Sequence, residues 1–136
     1  MPRSVFFLFE NEQRDPNHRV IVSIPWDIHL SKNYSKMLTR QGKLYIPAAH
    51  KKAKEHALKV LTEACKDYEW KNRTKYWLAI HVQKPDNRSD APNFVDAICD
   101  IVKLAVGVDD CWLELEGVTY EVVKDGTNKI FICVSQ

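Results

Sequence analysis

The stretch Arg88-Ser89-Asp90-Ala91-Pro92-Asn93-Phe94-Val95-Asp96-Ala97-Ile98-Cys99-Asp100-Ile101-Val102-Lys103-Leu104-Ala105-Val106-Gly107-Val108-Asp109-Asp110 decides how this chain is read. Pro92 suits a first helical position, where its missing N–H would be unpaired anyway. Gly107 suits the left-handed residue just past a helix end. Together they predict a short helix over residues 92–106. At 3.6 residues per turn, Phe94, Ile98, Ile101 and Ala105 share an apolar stripe, with Val95 and Val102 beside it, and Asn93, Asp96, Asp100 and Lys103 lie opposite. Asp96 and Asp100 are then one turn, about 6 Å, apart, and repel unless a cation sits between them. Asp90 falls at the positive end of the helix dipole and Asp109-Asp110 follow the turn at Gly107. All are expected to meet near one edge of the helix.

Outward from this helix the chain alternates strand and helix patterns. Residues 75–83 read as a central strand ending before Pro85, with Tyr76, Leu78, Ile80 and Val82 on one face and Trp77, Ala79 and His81 on the other. Residues 47–68 carry the longest helical stripe, Ala53, Ala57, Val60, Leu61, Ala64 and Tyr68. Lys51, Lys52, Lys54, Lys59 and Lys66 lie largely off it, either as a DNA path or as a solvated face. Residues 4–10 and 19–24 are β-rich runs separated by the turn Asp15-Pro16-Asn17, a hairpin whose first strand is an added edge. Residues 111–123 read as a long strand with Cys111, Leu113 and Leu115 facing one way, Trp112, Glu114 and Glu116 the other, and a bulge or kink at Gly117. Asp125-Gly126-Thr127-Asn128 then predicts a hairpin into residues 129–134. The order ββαβαββ implies one α+β domain over residues 1–136, a mixed, mostly antiparallel sheet with two helices packed on it.

Composition narrows the function classes. A chain of 136 residues, 45% hydrophobic and 28% charged, is that of an ordinary globular domain. No apolar run approaches the roughly 20 residues needed to span a bilayer, and Val5-Phe6-Phe7-Leu8-Phe9 is too short for a signal-peptide core. A cytoplasmic protein without membrane contact is expected. Cys65, Cys99, Cys111 and Cys133 form no Cys-x-x-Cys pair and read as buried free thiols; the five histidines show no ligand spacing and read as surface or partly buried. Residues 1–88 hold 17 Lys and Arg against 9 Asp and Glu, and residues 89–136 hold 3 against 9. That split fits a metal-dependent nuclease, with cations for phosphates and carboxylates for metal. It also fits lysine-rich surface helices. Between residues 26 and 46, Tyr34, Lys36, Arg40, Lys43 and Tyr45 interleave cations with aromatics around Gly42. This suits either a nucleic-acid grip or a surface loop with a small hairpin at residues 40–43.

Asp90, Asn93, Asp100 and the closing Asp109-Asp110 resemble the motif of the RusA family of Holliday junction resolvases: Asp-x-Asp-Asn-x-x-Lys-x-x-x-Asp, a helix, a glycine turn and an Asp-Asp pair. Pro92 stands where that motif has its second acidic residue, and Asp96 where it has its lysine. Ile24-Pro25-Trp26 and Leu30-Ser31-Lys32-Asn33 resemble the family more loosely, and the likeness covers roughly residues 20–134. It implies a small homodimeric, Mg²⁺-dependent endonuclease, with Mn²⁺ as the other candidate ion. The substrate would be four-way DNA junctions in recombination and repair, often on behalf of a phage or prophage, with no small-molecule cofactor. By the resemblance Asp90 and Asp110 hold the metal, Asp109 and Asp100 orient it, and Asp96 replaces the acidity lost at Pro92, with Lys103 a stand-in for the missing lysine. Lys32, Asn33, Arg40, Lys43, Arg88 and Asn93 would contact DNA, and Phe6, Phe7, Leu8 and Phe9 are a candidate dimer surface. Two alternatives stay open: a catalytically impaired branched-DNA-binding protein of the same fold, and an interaction protein whose aspartates merely cap helices and make turns.

Overall fold

A computed structural model of the chain describes residues 19–136. The expected strand over residues 4–10 and the dimer candidates Phe6, Phe7, Leu8 and Phe9 lie outside the described residues. From Arg19 the elements run β1 (Arg19–Pro25), β2 (Met37–Leu38), β3 (Leu44–Tyr45), α1 (Ala48–Cys65), β4 (Tyr76–Lys84), α2 (Val95–Val106), β5 (Leu113–Val122) and β6 (Lys129–Ser135). Single 3₁₀ turns lie at Ile28–Leu30, Lys32–Tyr34, Ala91–Phe94 and Asp110–Trp112. The architecture is α+β with a mixed sheet and two helices.

The sheet order is β1-β6-β4-β5. β4 pairs antiparallel with β6 and parallel with β5, so β4, α2 and β5 form a βαβ unit in which the helix carries the chain back to the start of its neighbour strand. Alternation along β4 follows the sequence: Tyr76, Leu78, Ile80 and Val82 join the main core with α1 and α2, while Ala79 belongs to a second cluster with Cys133 and Phe131. The main core takes Ala53, Ala57 and Leu61 from α1 and Ile98, Ile101 and Val102 from α2. Pro92 lies in the 3₁₀ turn that leads into α2, and Gly107 ends the helix at φ 73°, as the punctuation predicts.

The bulge expected at Gly117 is present. Leu78 pairs with Leu115 but Ala79 with Gly117, so Glu116 is the extra residue. The alternation of β5 inverts there: Leu113, Leu115, Val118, Tyr120 and Val122 all lie opposite the core-facing residues of β4, whereas Glu114, Thr119 and Glu121 reach Trp77, His81 and Gln83.

Three expectations are corrected. The last two strands do not form a hairpin, because β6 inserts between β1 and β4 and the connection from β5 passes the end of β4, where Val123 N–H donates to the Lys84 carbonyl. Two histidines are more deeply buried than expected: His81 is fully enclosed and His50 is 6% exposed. Among the thiols Cys65 and Cys133 are buried, Cys99 is half-buried and Cys111 is exposed; all four are free.

Candidate functional site

The βαβ connection decides where the aspartates go. β4 ends at Lys84, whose ammonium donates to the Ser89 carbonyl at 2.8 Å and lies 4.1 Å from the Tyr120 ring centroid. This contact ties the loop that delivers Asp90 to the far end of the sheet. α2 then returns, and Asp109 and Asp110 lie beside the start of β4, where the Tyr76 hydroxyl donates to the Val108 carbonyl. The 12 residues of α2 span about 18 Å. Asp90 and Asp110 therefore stand at opposite ends of the helix, and the expectation that one chain brings them to a common point is corrected. Asp110 pairs with Lys103 at 3.6 Å. Among the described residues no three His, Cys, Asp or Glu side chains are grouped to hold an ion.

What the fold does bring together is different. The segment from Ile28 to Lys36 runs between two open clefts. Its two 3₁₀ turns are capped by local bonds, with Asp27 accepting from His29 N–H at 2.9 Å and Ser31 accepting from Asn33 N–H at 3.4 Å. These turns point successive side chains to different sides. On one side, a cleft of about 460 Å³ is lined by Lys32, Lys36, His50, Lys54, Asp96 and Asp100 among others. On the other, a cleft of about 700 Å³ gathers Trp26, Asn33, Tyr34, Asp86 and Arg88. So Lys32, Asp96 and Asp100 meet in the first cleft, and Asn33 and Arg88 in the second. Asn93 lies half-buried in the turn before α2, where its N–H donates to the Asp90 carbonyl. Arg40 and Lys43 stand apart on the exposed β2–β3 turn, which Gly42 closes at φ 80°.

The electrostatics of the first cleft are mixed. Lys54 pairs with Asp100 at 3.0 Å, reaching from α1 across to α2. Cys99 lies between the two aspartates in sequence. Burial, helped by the charges of Asp96 and Asp100, pushes its thiol up to about 11. It stays protonated at neutral pH and is no nucleophile. Two exposed carboxylates one turn apart offer only oxygen donors, a set that suits Mg²⁺, which keeps several waters and needs one or two protein carboxylates. In the second cleft Arg88 grips Asp86 through two nitrogens at 2.9 and 2.6 Å. That bond holds the Asp86 carboxyl below its usual range.

His50 was not singled out from the sequence. It sits on the buried stripe with Ala53, Ala57 and Leu61, so periodicity alone places it against the core. Its Nδ1 lies 2.6 Å from the His29 carbonyl oxygen, a contact between residues 21 apart that no local pattern reveals.

No family model matches the chain, and no curated protein matches it in sequence.

Proposed function

We propose that this protein is a Mg²⁺-dependent endonuclease that cuts four-way DNA junctions as a homodimer. The observation that carries the proposal is the first cleft, whose lining brings Asp96 and Asp100 together with Lys32, Lys36 and Lys54. Asp96 and Asp100 would hold the ion, with Lys54 positioning the Asp100 carboxylate. Bound Mg²⁺ would stabilise charge on the phosphoryl oxygens and favour ionisation of a bound water. Lys32 and Lys36 attract the phosphate backbone. The second cleft lies across the 28–36 segment from the first: there Tyr34, 40% exposed, offers a ring for base stacking, and Asn33 and Arg88 line the same cleft.

Asp90 and Asp110, the main ligands by resemblance, can serve one ion only if they come from two different copies of the chain. A junction has two-fold symmetry, and a C2 dimer supplies two sites to match it. Apolar residues on the β2–β3 ribbon, Leu38 and Leu44 at 67% and 68% exposure, are surface of the kind that a partner covers.

The test is incubation of purified protein with a mobile synthetic junction, in Mg²⁺ and in EDTA. Paired nicks that need Mg²⁺ and disappear in the Asp96→Asn/Asp100→Asn double variant support the proposal. A gel shift without nicks favours the impaired DNA-binding protein instead. Asp110→Asn separates the two metal placements: unaltered nicking assigns the ion to the first cleft, and lost nicking assigns it to a site shared between copies.

A further inference from the structure

We propose that His50 is the general base that activates water in the first cleft, a role that rests on the nuclease function proposed above. The His29 carbonyl can only accept, so at 2.6 Å the Nδ1 of His50 must carry the proton. The neutral imidazole then has its lone pair on Nε2. His50 is 6% exposed and borders the cleft, yet Nε2 has no hydrogen-bond partner among the described residues. A buried, oriented ring with one nitrogen committed to a carbonyl and the other left basic is the arrangement that a general base needs.

The surroundings suit the step. Lys32 and Lys36 come from the preceding segment, and Asp96, Cys99 and Asp100 from α2. On its own helix Lys54 lines the same cleft, and Lys51 and Glu55 line the groove on its other side. The cations draw in the phosphodiester. A water oxygen forms the new bond to phosphorus as one of its protons passes to Nε2. The P–O bond to the leaving sugar oxygen breaks with its electron pair on that oxygen, which takes a proton from solvent. His50 then returns its proton to solvent.

The test uses two variants and two readouts. In His50→Asn the amide nitrogen can keep the bond to the His29 carbonyl while Nε2 is lost; His50→Gln does the reverse. Single-turnover cleavage should fall about a hundredfold or more in His50→Asn, with junction affinity in EDTA and thermal midpoint unchanged. The rate of the native protein should rise with pH through the titration of His50, followed by ring-nitrogen NMR, and this limb should vanish in His50→Asn. His50→Asn cleaving at the native rate with the native pH profile overturns the assignment. If His50→Asn fails to fold, the native protein decides: a ring-titration midpoint that differs from the midpoint of the rate profile overturns it. If the native protein makes no nicks at all, the proposed nuclease function falls and His50 falls with it. Nicks that persist in the His50 variants remove this inference alone.

Discussion

Asp100→Asn separates a metal-ligand role from a structural one, because the structure makes the two effects very different in size. The carboxylate pairs with Lys54 at 3.0 Å, with side-chain exposures of 62% for Asp100 and 28% for Lys54. At that distance in water two unit charges attract by about 1.4 kcal/mol. Salt and lost side-chain freedom reduce exposed pairs to about 0.2–1 kcal/mol. Neutralising Asp100 also relieves its repulsion by Asp96 one turn away, worth about 0.2–0.5 kcal/mol. The net cost in stability is therefore about 0.8 kcal/mol or less, a fall in Tm of less than about 5 °C. Loss of a carboxylate that holds the ion should instead slow junction cleavage by about 100-fold or more. The assay pairs a thermal melt with single-turnover cleavage of a labelled junction, and adds Mn²⁺ line broadening of α2 amide signals as a direct probe of the ion. Cleavage at the native rate, with native Mn²⁺ broadening, would refute the reasoning. A large drop in Tm would show that the Lys54–Asp100 pair is structural and that its energy has been underestimated.

Three further outcomes are expected. Replacing Leu38 and Leu44 together by Lys should lower the dimer fraction in sedimentation without lowering Tm, since both side chains are exposed within one copy; a monomeric native protein would refute the dimer. Gly107→Ala should cost about 1–2 kcal/mol in chemical denaturation, because φ is 73° there while nothing lies within 4 Å of an added Cβ; no measurable cost would refute the left-handed cap. Burial pushes Cys65 and Cys99 up to about 11 and Tyr76 up to about 12, from ordinary values of 9.0 and 10.0. Folding raises these pKa values, so between about pH 9 and 12 the folded state keeps protons that the unfolded state has lost, and stability must fall as pH rises. Thermal melts across this range check it: a Tm that stays level would mean these groups are not protected.

Much of the fold is legible in the sequence, because its cues are local. The end of α2 followed from Gly107 and the turn that leads into it from Pro92, although the α-helix itself starts three residues later at Val95; the two faces of β4 followed from alternation, and the bulge in β5 from Gly117. Each cue depends on the geometry of a few consecutive residues. The candidate site was legible only in part. That Asp96 and Asp100 share a face follows from helical period alone, but their meeting with Lys32, Lys36, Lys54 and His50 depends on how three separate elements pack.

What the sequence by itself determined, then, was the inventory of elements and the faces they bury. Tertiary structure alone decided two things: that β6 enters the sheet between β1 and β4, and that a parallel βαβ connection carries Asp90 and Asp110 to opposite ends of one helix. The physical reason is that strand order is set by the burial of a whole sheet face. No run of a few residues records which neighbour a strand will take, or at which end of it a loop will emerge.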